Sequence, residues 1–380
     1  MSGGSMDRVV VVGNGIAGLT AADTLREAGF DGELTIVGDE PHPAYSRPAL
    51  SKALLLDGDD MSSHELAPTG HGATELLGVR ATGLDLDRRL VTLDDGTALP
   101  YDRVVLATGS RARRLSDLPE ELTLRGLDDA LSLRSRLTGR PSVIVVGGGP
   151  LGMEIASGCL AAGCRVTLVS QGVPLTVQLG PYLADVFVKA ALDVGLTVVD
   201  TGSARLERRE GNARVVLDDG AVLEAEVLMT AVGDVPNTEW LADTGLAAKG
   251  AVPVDSRGLV RPDVAAVGDL AAFPTPYGLR RIPLWSSAIE QAKVAARALV
   301  RGDDAPPLRF QPYFWTEQFG LSLKAVGHLP LEGPPAYVEG GPGGGPALMR
   351  WSHADGTGVA AALNHRIPIP RLRRMTQPAS

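Results

Sequence analysis

A strand, glycine turn, helix and second strand follow one another twice in this chain, and no other feature restricts its fold as strongly. The first copy runs from 8–12 (RVVVV) through GNGIAG and a helical pattern to the strand 33–37 (ELTIV). The second runs from 142–146 (SVIVV) through GGGPLG to the strand 165–169 (RVTLV). Short β-branched runs of this kind are typical of buried parallel strands. Each copy is one β-α-β unit that needs its own sheet, so we predict two α/β domains of the same kind.

The glycines of each turn have separate physical roles. In the first copy Gly13 permits a tight turn, Gly15 lets a pyrophosphate approach the backbone, and Gly18 lets the helix pack close to the strand. The pyrophosphate then lies at a helix N-terminus, where free N–H groups and the helix dipole favour an anion. The corresponding candidates in the second copy are Gly147, Gly149, Pro150, Leu151 and Gly152. Because the required context occurs twice, we interpret the turns as two Rossmann-like dinucleotide-binding domains rather than ordinary glycine-rich turns.

The position after the second strand of such a unit is where an acidic side chain binds a ribose. The first copy has Asp39 and Glu40 there, and we expect one of them to bind the adenosine ribose. The second copy has Ser170 and Gln171, and the stretch 172–181 contains no arginine. The usual signals for NADH and for NADPH are therefore both missing, and Gln171 is a candidate ribose ligand without strong preference. The lack of a cation for a 2′-phosphate favours NADH.

Two hairpin signals support the duplication. An Asp-Asp-Gly lies between alternating strands in VTLDDGTALPYDRVVLATG (91–109) and again in VVLDDGAVLEAEVLMTAVG (215–233). From about Ala305 the pattern changes to clustered aromatic residues and alternating strands, which predicts a small α+β domain. The glycine-rich run 339–346 precedes no phosphate-binding helix, so we interpret it as a hairpin loop.

Composition narrows the class of protein. The 380 residues are 44% hydrophobic and 21% charged, with a net charge of −9, which is typical of a globular protein and unfavourable for nucleic acid or anionic membranes as partners. The two cysteines are too few for a disulfide-stapled secreted fold. With no apolar signal-peptide core and no membrane span in the pattern, we expect a cytoplasmic protein. The six histidines show no metal-ligand spacing, so we expect no metal site.

Five further segments occur in the order and with the residue types of one known family. They are PAYSRPALSK (43–52), LATGSRARRL (106–115), AVGDVPNTEWL (231–241), DVAAVGD (263–269) and YFWTEQFG (313–320). These resemble, in turn, the PYxRPPLSK segment, the ATG motif, the segment closing the NAD domain, the late FAD motif and the FWSDQ segment of that family. The family is the putidaredoxin reductase-like ferredoxin reductases of bacterial oxygenase systems, within the FAD-dependent pyridine nucleotide-disulfide oxidoreductases.

The resemblance implies a glutathione reductase-like fold with three domains. An FAD domain (6–110 and 236–304) is interrupted by an NAD(P) domain (111–235) and followed by an interface domain (305–380). Implied FAD contacts are Ala17 at the pyrophosphate turn, Asp39 at the ribose, Arg47 and Lys52 near the isoalloxazine and the backbone of Ala81 near the adenine. Further implied cofactor contacts are Ala107, Thr108, Gly109, Arg125, Gly233, Asp269 and Trp285.

The resemblance also implies the reaction. A hydride would pass from NADH or NADPH to flavin N5, and single electrons would then pass to a [2Fe–2S] ferredoxin. Lys52 would place a positive charge near N5, and Glu154, in G-x-G-x-x-G-x-E spacing, would pair with Lys52 or orient the nicotinamide. Trp315 would lie near the flavin on the partner side. An acidic ferredoxin would dock on arginines, for which the candidates are Arg301, Arg309, Arg366, Arg371, Arg373 and Arg374.

Two other functions stay open at this stage. One is an NAD(P)H oxidase or tailoring enzyme without a ferredoxin, favoured by Ala49 in place of proline, by the missing ribose acid and by the short C-terminal region. The other is a redox-sensing interaction protein, as in the related apoptosis-inducing factor. Cys159 and Cys164 have C-x₄-C spacing but lie far from 45–52, where the family's redox disulfide occurs, so we interpret them as buried hydrophobic residues. A monomer and a homodimer are both compatible with the sequence.

Overall fold

The computed structural model describes residues 7–52, 64–67, 70–209, 212–309, 311–342, 345–353 and 356–377. In chain order, the strands are β1 (Arg8–Val12), β2 (Glu33–Gly38), β3 (Thr74–Leu77), β4 (Ala81–Asp85), β5 (Leu90–Leu93), β6 (Ala98–Pro100), β7 (Arg103–Leu106), β8 (Ser110–Ala112), β9 (Glu121–Leu122), β10 (Ser142–Val146), β11 (Arg165–Ser170), β12 (Thr197–Asp200), β13 (Ala204–Arg209), β14 (Asn212–Leu217), β15 (Val222–Glu224), β16 (Val227–Thr230), β17 (Asp234–Pro236), β18 (Val252–Pro253), β19 (Leu259–Arg261), β20 (Val264–Ala266), β21 (Ala271–Thr275), β22 (Gly278–Arg280), β23 (Tyr313–Gln318), β24 (Leu321–Val326), β25 (Ala336–Glu339), β26 (Ala347–Ser352) and β27 (Gly358–Leu363). The helices are α1 (Ile16–Glu27), α2 (Leu127–Leu137), α3 (Pro150–Ala161), α4 (Thr176–Leu179), α5 (Pro181–Asp193), α6 (Trp285–Arg301) and α7 (Ile369–Arg374).

The chain divides into two compact units. The first contains the described residues of 1–46, 64–111 and 235–310, and the second those of 47–63, 112–234 and 311–380. The second unit thus groups the second dinucleotide fold with the C-terminal residues, and it also takes in the segment that begins at Arg47.

The first unit is built on a sheet of six strands in the order β19-β20-β7-β1-β2-β3. Strand β1 pairs in parallel with β2 and with β7, as the first β-α-β pattern predicts. Its residues alternate between two cores: Val9 and Val11 pack with helices α1 and α6, while Val10 and Val12 pack in a core on the opposite side of the strand. Because both faces are buried, the strand is apolar at every position from Val9 to Val12.

The second unit repeats this arrangement with a sheet in the order β12-β11-β10-β16-β9. Strand β10 pairs in parallel with β11 and with β16. The predicted hairpins occur in both units, as β5–β6 before β7 and as β14–β15 before β16. The predicted α/β class with two Rossmann-like folds is confirmed, since the two central strand triplets have the same order and direction.

The C-terminal residues form an antiparallel sheet within the second unit, in the order β23-β24-β27-β26-β25, with helix α7 packed on it. Strands β25 and β26 are antiparallel neighbours, so the glycine-rich run connects a hairpin; Gly343 and Gly344 within it lie outside the described residues. In the part of the chain that the structure describes, no helix is long and apolar enough to cross a membrane.

Candidate functional site: two glycine turns and a carboxylate cluster

The first glycine turn has the geometry of a pyrophosphate cradle. Gly13 has a φ of +122°, and a Cβ placed on it would lie 2.1 Å from the carbonyl oxygen of Ala107. A Cβ on Gly18 would lie 1.8 Å from the Gly13 carbonyl oxygen, so no side chain fits between helix α1 and strand β1 at that point. A Cβ on Gly15 would meet no atom within 4 Å, and Gly15 caps the 12-residue helix α1 without a side-chain hydrogen bond. The turn is closed on its protein side and open at Gly15, which fits a pyrophosphate at the helix N-terminus.

The second turn has the same backbone geometry as the first. Gly147 has a φ of +120°, and a Cβ placed on it would lie 2.3 Å from the Ala231 carbonyl oxygen, while a Cβ on Gly152 would lie 1.9 Å from the Gly147 carbonyl oxygen. Gly149 caps α3, and only Gln178 Nε2, at 3.8 Å, lies near its missing Cβ. Pro150, whose absent N–H suits the first turn of a helix, and the exposed Leu151 begin α3. The two turns therefore provide one open anion cradle in each unit.

Asp269 lies beside the first turn, in the 3₁₀ turn Gly268–Leu270. Gly268 has a φ of +77°, donates its N–H to Gln291 Oε1 at 2.8 Å, and would bring a Cβ to within 3.2 Å of the Ala17 side chain. This close approach places the aspartate next to the start of α1. Ser110 Oγ donates to Asp269 Oδ2 at 3.2 Å, and Arg281 Nε donates to the Asp269 carbonyl oxygen at 2.5 Å.

The ATG segment is fastened to the segment that follows β17. Thr108 Oγ1 donates to the Asn237 carbonyl oxygen at 2.8 Å, Asn237 Nδ2 donates to the Thr108 carbonyl oxygen at 2.9 Å, and Asn237 N donates to the Gly109 carbonyl oxygen at 3.0 Å. Two of the segments singled out in the sequence are thus one hydrogen-bonded clasp within the first unit. Asn237 was not among the residues predicted from the sequence, although it lies within AVGDVPNTEWL.

The remaining candidates of the first unit occupy varied positions. Asp39 is exposed directly after β2, whereas the Glu40 carboxylate accepts a hydrogen bond from the Tyr45 hydroxyl. Ala81 is buried in β4 opposite Leu93, and Trp285 is the half-buried first residue of α6. Of the two acidic residues after β2, Asp39 is therefore the one whose carboxylate is not engaged by Tyr45.

In the second unit three side chains donate hydrogen bonds to the buried carboxylate of Glu154 on α3. We call this group the carboxylate cluster. Lys52 Nζ and Ser51 Oγ donate to Glu154 Oε2 at 2.8 and 2.5 Å, and Thr316 Oγ1 donates to Oε1 at 2.6 Å. The side chains of Lys52 and Glu154 are 18% and 9% exposed, and Thr316 is fully buried. The structure brings together the predicted pair of Lys52 and Glu154, and it adds two hydroxyl donors that were not predicted from the sequence.

These two donors lie within segments already singled out by their sequence. Ser51 precedes Lys52 in PAYSRPALSK, and Thr316 follows Trp315 in β23. Because side chains alternate along a strand, Thr316 points to the opposite face of the sheet from Trp315. Helix α3 and strand β23 pack together, and the N–H of Phe319 donates to Ser157 Oγ at 2.8 Å. This second hydrogen bond between the helix and the strand segment helps to keep Thr316 opposite Glu154.

Arg47, Arg125 and Trp315 also belong to the second unit. Arg47 donates from Nη1 to the Arg125 carbonyl oxygen at 2.9 Å, which links the 3₁₀ turn Arg47–Ala49 to the start of α2. Trp315 stacks on Tyr313 with ring centroids 5.7 Å apart and an interplanar angle of 16°. Gly233 has a φ of +102° and accepts a hydrogen bond from Arg113 N at 3.0 Å.

The side chains at the end of β11, beside the second glycine turn, are not the acidic ones usual at this position. Ser170 is 5% exposed, and its Oγ would lie 2.1 Å from a Cβ on Gly148, so this hydroxyl is packed beneath the turn. Gln171 is exposed, but its Nε2 donates to the Gly202 carbonyl oxygen at 2.6 Å. The two side chains predicted at the ribose position are thus both directed to protein partners.

Both cysteines are buried and unpaired, which agrees with their interpretation as buried hydrophobic residues. Burial raises the pKa of the Cys159 thiol to about 12 and also raises that of Cys164. Since the thiolate is the reactive form, neither residue is suited to thiol–disulfide exchange at neutral pH. Among the described residues, no group of three or more His, Cys, Asp or Glu side chains is arranged to hold a metal ion.

Comparison with known proteins decides the family. The model of the pyridine nucleotide-disulphide oxidoreductase family matches residues 7–295. The chain belongs to this family. It is 35% identical to rhodocoxin reductase of Rhodococcus erythropolis over 334 residues, which cover 84% of this chain and 78% of the relative. It is 34% identical to the ferredoxin–NAD(+) reductase subunit of the benzene 1,2-dioxygenase system of Pseudomonas putida over 360 residues, 90% of this chain and 86% of the relative.

A solved structure agrees with these relatives. The covalent putidaredoxin reductase–putidaredoxin complex matches with a TM-score of 0.87 at 28% identity, over 98% of this chain and 94% of that one. Family membership confirms the predicted oxidoreductase class and the predicted use of FAD and a nicotinamide dinucleotide. The two glycine turns fit these groups, since each turn could hold one pyrophosphate. A side chain at Gly15 or Gly149 would project into the space where that pyrophosphate would bind.

Proposed function

We propose that this chain is an FAD-dependent NAD(P)H:ferredoxin reductase that supplies electrons to an oxygenase system in the cytoplasm. The hydride donor would bind at the glycine turn of the second unit and FAD at that of the first. The names of the relatives, which are reductases for a rhodocoxin and for a dioxygenase ferredoxin, support this assignment.

One observation carries the proposal furthest. The chain has two dinucleotide turns, but the positions of the family's redox disulfide are occupied by the residues YSRPALSK (45–52), and both cysteines are buried with raised pKa values. With no accessible thiol among the described residues, electrons have no route out through a disulfide. They would instead leave the flavin directly, and a one-electron carrier such as a [2Fe–2S] ferredoxin suits that exit.

Bound FAD would accept the hydride and supply electrons one at a time. The residues around the first turn would hold it: Gly15 and the N-terminus of α1 at the pyrophosphate, Asp39 at the ribose, and Asp269 at the ribityl chain. Gly149 and the N-terminus of α3 would hold the nicotinamide dinucleotide. Trp315 is assigned to the partner side by its register within YFWTEQFG.

Lys52 is assigned as the positive charge that favours reduced flavin, from its register within PAYSRPALSK. The buried carboxylate of Glu154 fixes the direction of the lysine side chain through the 2.8 Å bond from Nζ to Oε2. Ser51 and Thr316 hold the carboxylate from two sides, so the lysine ammonium cannot shift without breaking a connected set of hydrogen bonds. Glu154, Ser51 and Thr316 are thus positioning residues for Lys52.

The arginines at the end of the second unit are the docking surface that we propose for an acidic ferredoxin. Arg371 and Arg374 are exposed on helix α7, and Arg366 is exposed just before it. Arg371 Nη2 also lies 3.2 Å from Glu339 Oε1, which partly offsets its charge. Arg366 and Arg374 are therefore the arginines of this group expected to contribute most to electrostatic steering. Arg373 lies half-buried on the same helix, and Arg301 and Arg309 are exposed in the first unit.

The proposal is tested by anaerobic stopped-flow absorbance of the yellow holoprotein. It is mixed first with NADH or NADPH, and then in separate experiments with a [2Fe–2S] ferredoxin or with oxygen. We expect rapid flavin bleaching, rapid reoxidation by the ferredoxin and slow reoxidation by oxygen. The ferredoxin step should slow with rising salt and in Arg374→Glu, while bleaching by NADH stays unchanged in that variant.

A second function has its own signature in the same experiment. Ala49 stands where the family's PYxRPPLSK segment has a proline, and this departure beside Lys52 favours an altered electron acceptor. Rapid bleaching followed by reoxidation with oxygen alone, and none with ferredoxin, would refute the ferredoxin assignment and favour an NAD(P)H oxidase. No bleaching by either nucleotide would refute both functions.

A further inference from the structure

We infer that Asp200, on the strand beside β11, selects NADH over NADPH by occupying the place of the acidic residue that the end of β11 lacks. The inference rests on the proposed function only in placing the nicotinamide dinucleotide at the second glycine turn. It assigns a specificity role to a residue that lies outside the glycine motif and 30 positions after Ser170 along the chain.

Strand register brings Asp200 to the ribose position. Strand β12 is the parallel neighbour of β11, and the last residues of the two strands, Ser170 and Asp200, are paired. The N–H of Thr201 donates to the Ser170 carbonyl oxygen at 3.0 Å, so the pairing continues to the ends of both strands. A dinucleotide bound at a Rossmann-like turn lies across these carboxyl ends, with its adenosine ribose over the end of the second strand.

A hydrogen bond fixes the Asp200 carboxylate in this place. The N–H of Gly172 donates to Asp200 Oδ1 at 2.7 Å. The Asp200 carboxylate therefore lies against the backbone just after β11, although neither Ser170 nor Gln171 is acidic. Asp200 is exposed, and a carboxylate has about four acceptor positions, of which this bond uses one. The other oxygen is left to accept from a ribose hydroxyl, which is what the acidic residue of a typical NAD site does.

The surroundings favour a ribose without a 2′-phosphate. Residues 171–181 contain no lysine or arginine, and Asp218 supplies a second carboxylate nearby, accepting the N–H of Gly202 at 2.7 Å. Hydrogen bonds from Thr201 and Gly202 lower the pKa of Asp218, so it is charged at neutral pH. A 2′-phosphate would bring about two negative charges towards these carboxylates, and the segment 171–181 supplies no cation to offset them.

Two exposed valines point to the same occupant. Val173 and Val177 are 52% and 76% exposed, in the loop and short helix that follow Gly172. Aliphatic side chains beside a ribose position can cover a flat adenine ring. The carboxylate, the apolar loop and the open turn at Gly149 together suit an adenine dinucleotide with a free 2′-hydroxyl.

Asp200→Asn tests this role because the asparagine oxygen can still accept from Gly172 while the charge is lost. The control is Asp193→Asn, which removes an exposed carboxylate where helix α5 ends, before β12 begins and so at the opposite edge of the sheet. Binding is measured by titration calorimetry on the oxidised holoprotein, with the tetrahydronicotinamide analogues of NADH and NADPH, which cannot donate a hydride. The visible flavin spectrum reports that each variant retains FAD.

We expect the wild-type protein to bind the NADH analogue more tightly than the NADPH analogue. We compare variants by the ratio of the dissociation constant of the NADPH analogue to that of the NADH analogue. In Asp200→Asn this ratio should fall about tenfold, chiefly through tighter binding of the NADPH analogue. In Asp193→Asn it should stay within about twofold of the wild-type ratio. Raising the salt to about 0.5 M should lower the ratio in the wild type more than in Asp200→Asn.

Two results would overturn the inference alone: equal affinities in the wild type, or a ratio in Asp200→Asn within twofold of the wild type while NADH still bleaches the flavin. A protein that binds neither analogue and is not bleached would refute the proposed function as well. A ferredoxin that fails to reoxidise the flavin would leave the analogue affinities as they are and would count only against the proposed function.

Discussion

The carboxylate cluster around Glu154 gives the sharpest stability prediction. Lys52→Met removes the one cation that contacts this carboxylate among the described residues, while Ser51 and Thr316 still donate to its two oxygens. A fully buried carboxylate that loses its only partner costs about 3–5 kcal/mol, whereas an exposed pair is worth about 0–1 kcal/mol. The Lys52 and Glu154 side chains are 18% and 9% exposed, so the cluster is close to the buried limit.

The two remaining hydroxyl donors reduce the expected cost. They leave each oxygen of Glu154 with a hydrogen bond, so the loss corresponds to one charge-assisted hydrogen bond, about 2 kcal/mol. Glu154→Gln should also destabilise the second unit, because an amide leaves the lysine charge without its anion. The double variant should cost less than the sum of the two by about 1 kcal/mol or more, since it buries no unpaired charge.

Amide hydrogen exchange, read by mass spectrometry for peptides from α3 and β23, measures this cost without assuming that both units unfold together. A loss of about 2 kcal/mol would speed exchange by about thirtyfold in those peptides. Lys189→Met, which changes an exposed lysine of α5, is the matched control and should leave exchange unchanged. Exchange in Lys52→Met within twofold of the wild type, or strictly additive effects in the double variant, would refute the reasoning.

Other perturbations test the cofactor sites and one pH-dependent contact. Gly15→Ala should fold but lose FAD, seen as a lower ratio of flavin to protein absorbance, and Gly149→Ala should stay yellow while its dissociation constant for NADH rises at least tenfold; normal flavin content in the first or normal NADH affinity in the second would contradict the cradle geometry. Lys52→Met should retain FAD but slow flavin reduction by NADH at least tenfold, about 1.4 kcal/mol, and a rate equal to that of Lys189→Met would remove its assigned role. Burial raises the pKa of Glu121, but hydrogen bonds from Thr230, Leu115 and Ser116 outweigh it and lower that pKa below 4.5. Its contribution to stability is therefore present above about pH 4.5 and lost as the pH falls below it, so the stability difference between wild type and Glu121→Gln should shrink in acid denaturation curves; a constant difference would contradict this.

The backbone features of both nucleotide sites could be predicted from the sequence because they depend on local residues. Positions 13 and 147 require glycine because φ is positive there and a carbonyl oxygen occupies the place of a Cβ. The six-residue glycine motif indicates both requirements. The strands on either side are continuous apolar runs because both faces are covered. The fold class followed from these features, and the pairing of Lys52 with Glu154 followed from register within known motifs.

The side-chain partners could not be predicted in the same way, because they come from distant parts of the chain. Thr316 lies 162 positions from Glu154 and reaches it only because β23 packs on α3. Asn237 lies 129 positions from Thr108, and no periodicity in either segment indicates that they bond. Such contacts are set by tertiary packing, which leaves no mark on local hydrophobic patterns.

The end of β11 shows what the order of residues along one strand leaves out. A ribose ligand is expected directly after β11, because in most units of this kind the acid lies on that strand. Neighbouring parallel strands, however, end on the same side of the sheet, and the carboxyl end of β12 lies beside the carboxyl end of β11. Packing Ser170 beneath Gly148 removes its hydroxyl from the surface, while the bond from Gly172 to Asp200 brings a carboxylate to it. The chemistry of a nucleotide site can therefore persist when its usual residue is lost, provided that the next strand supplies the charge.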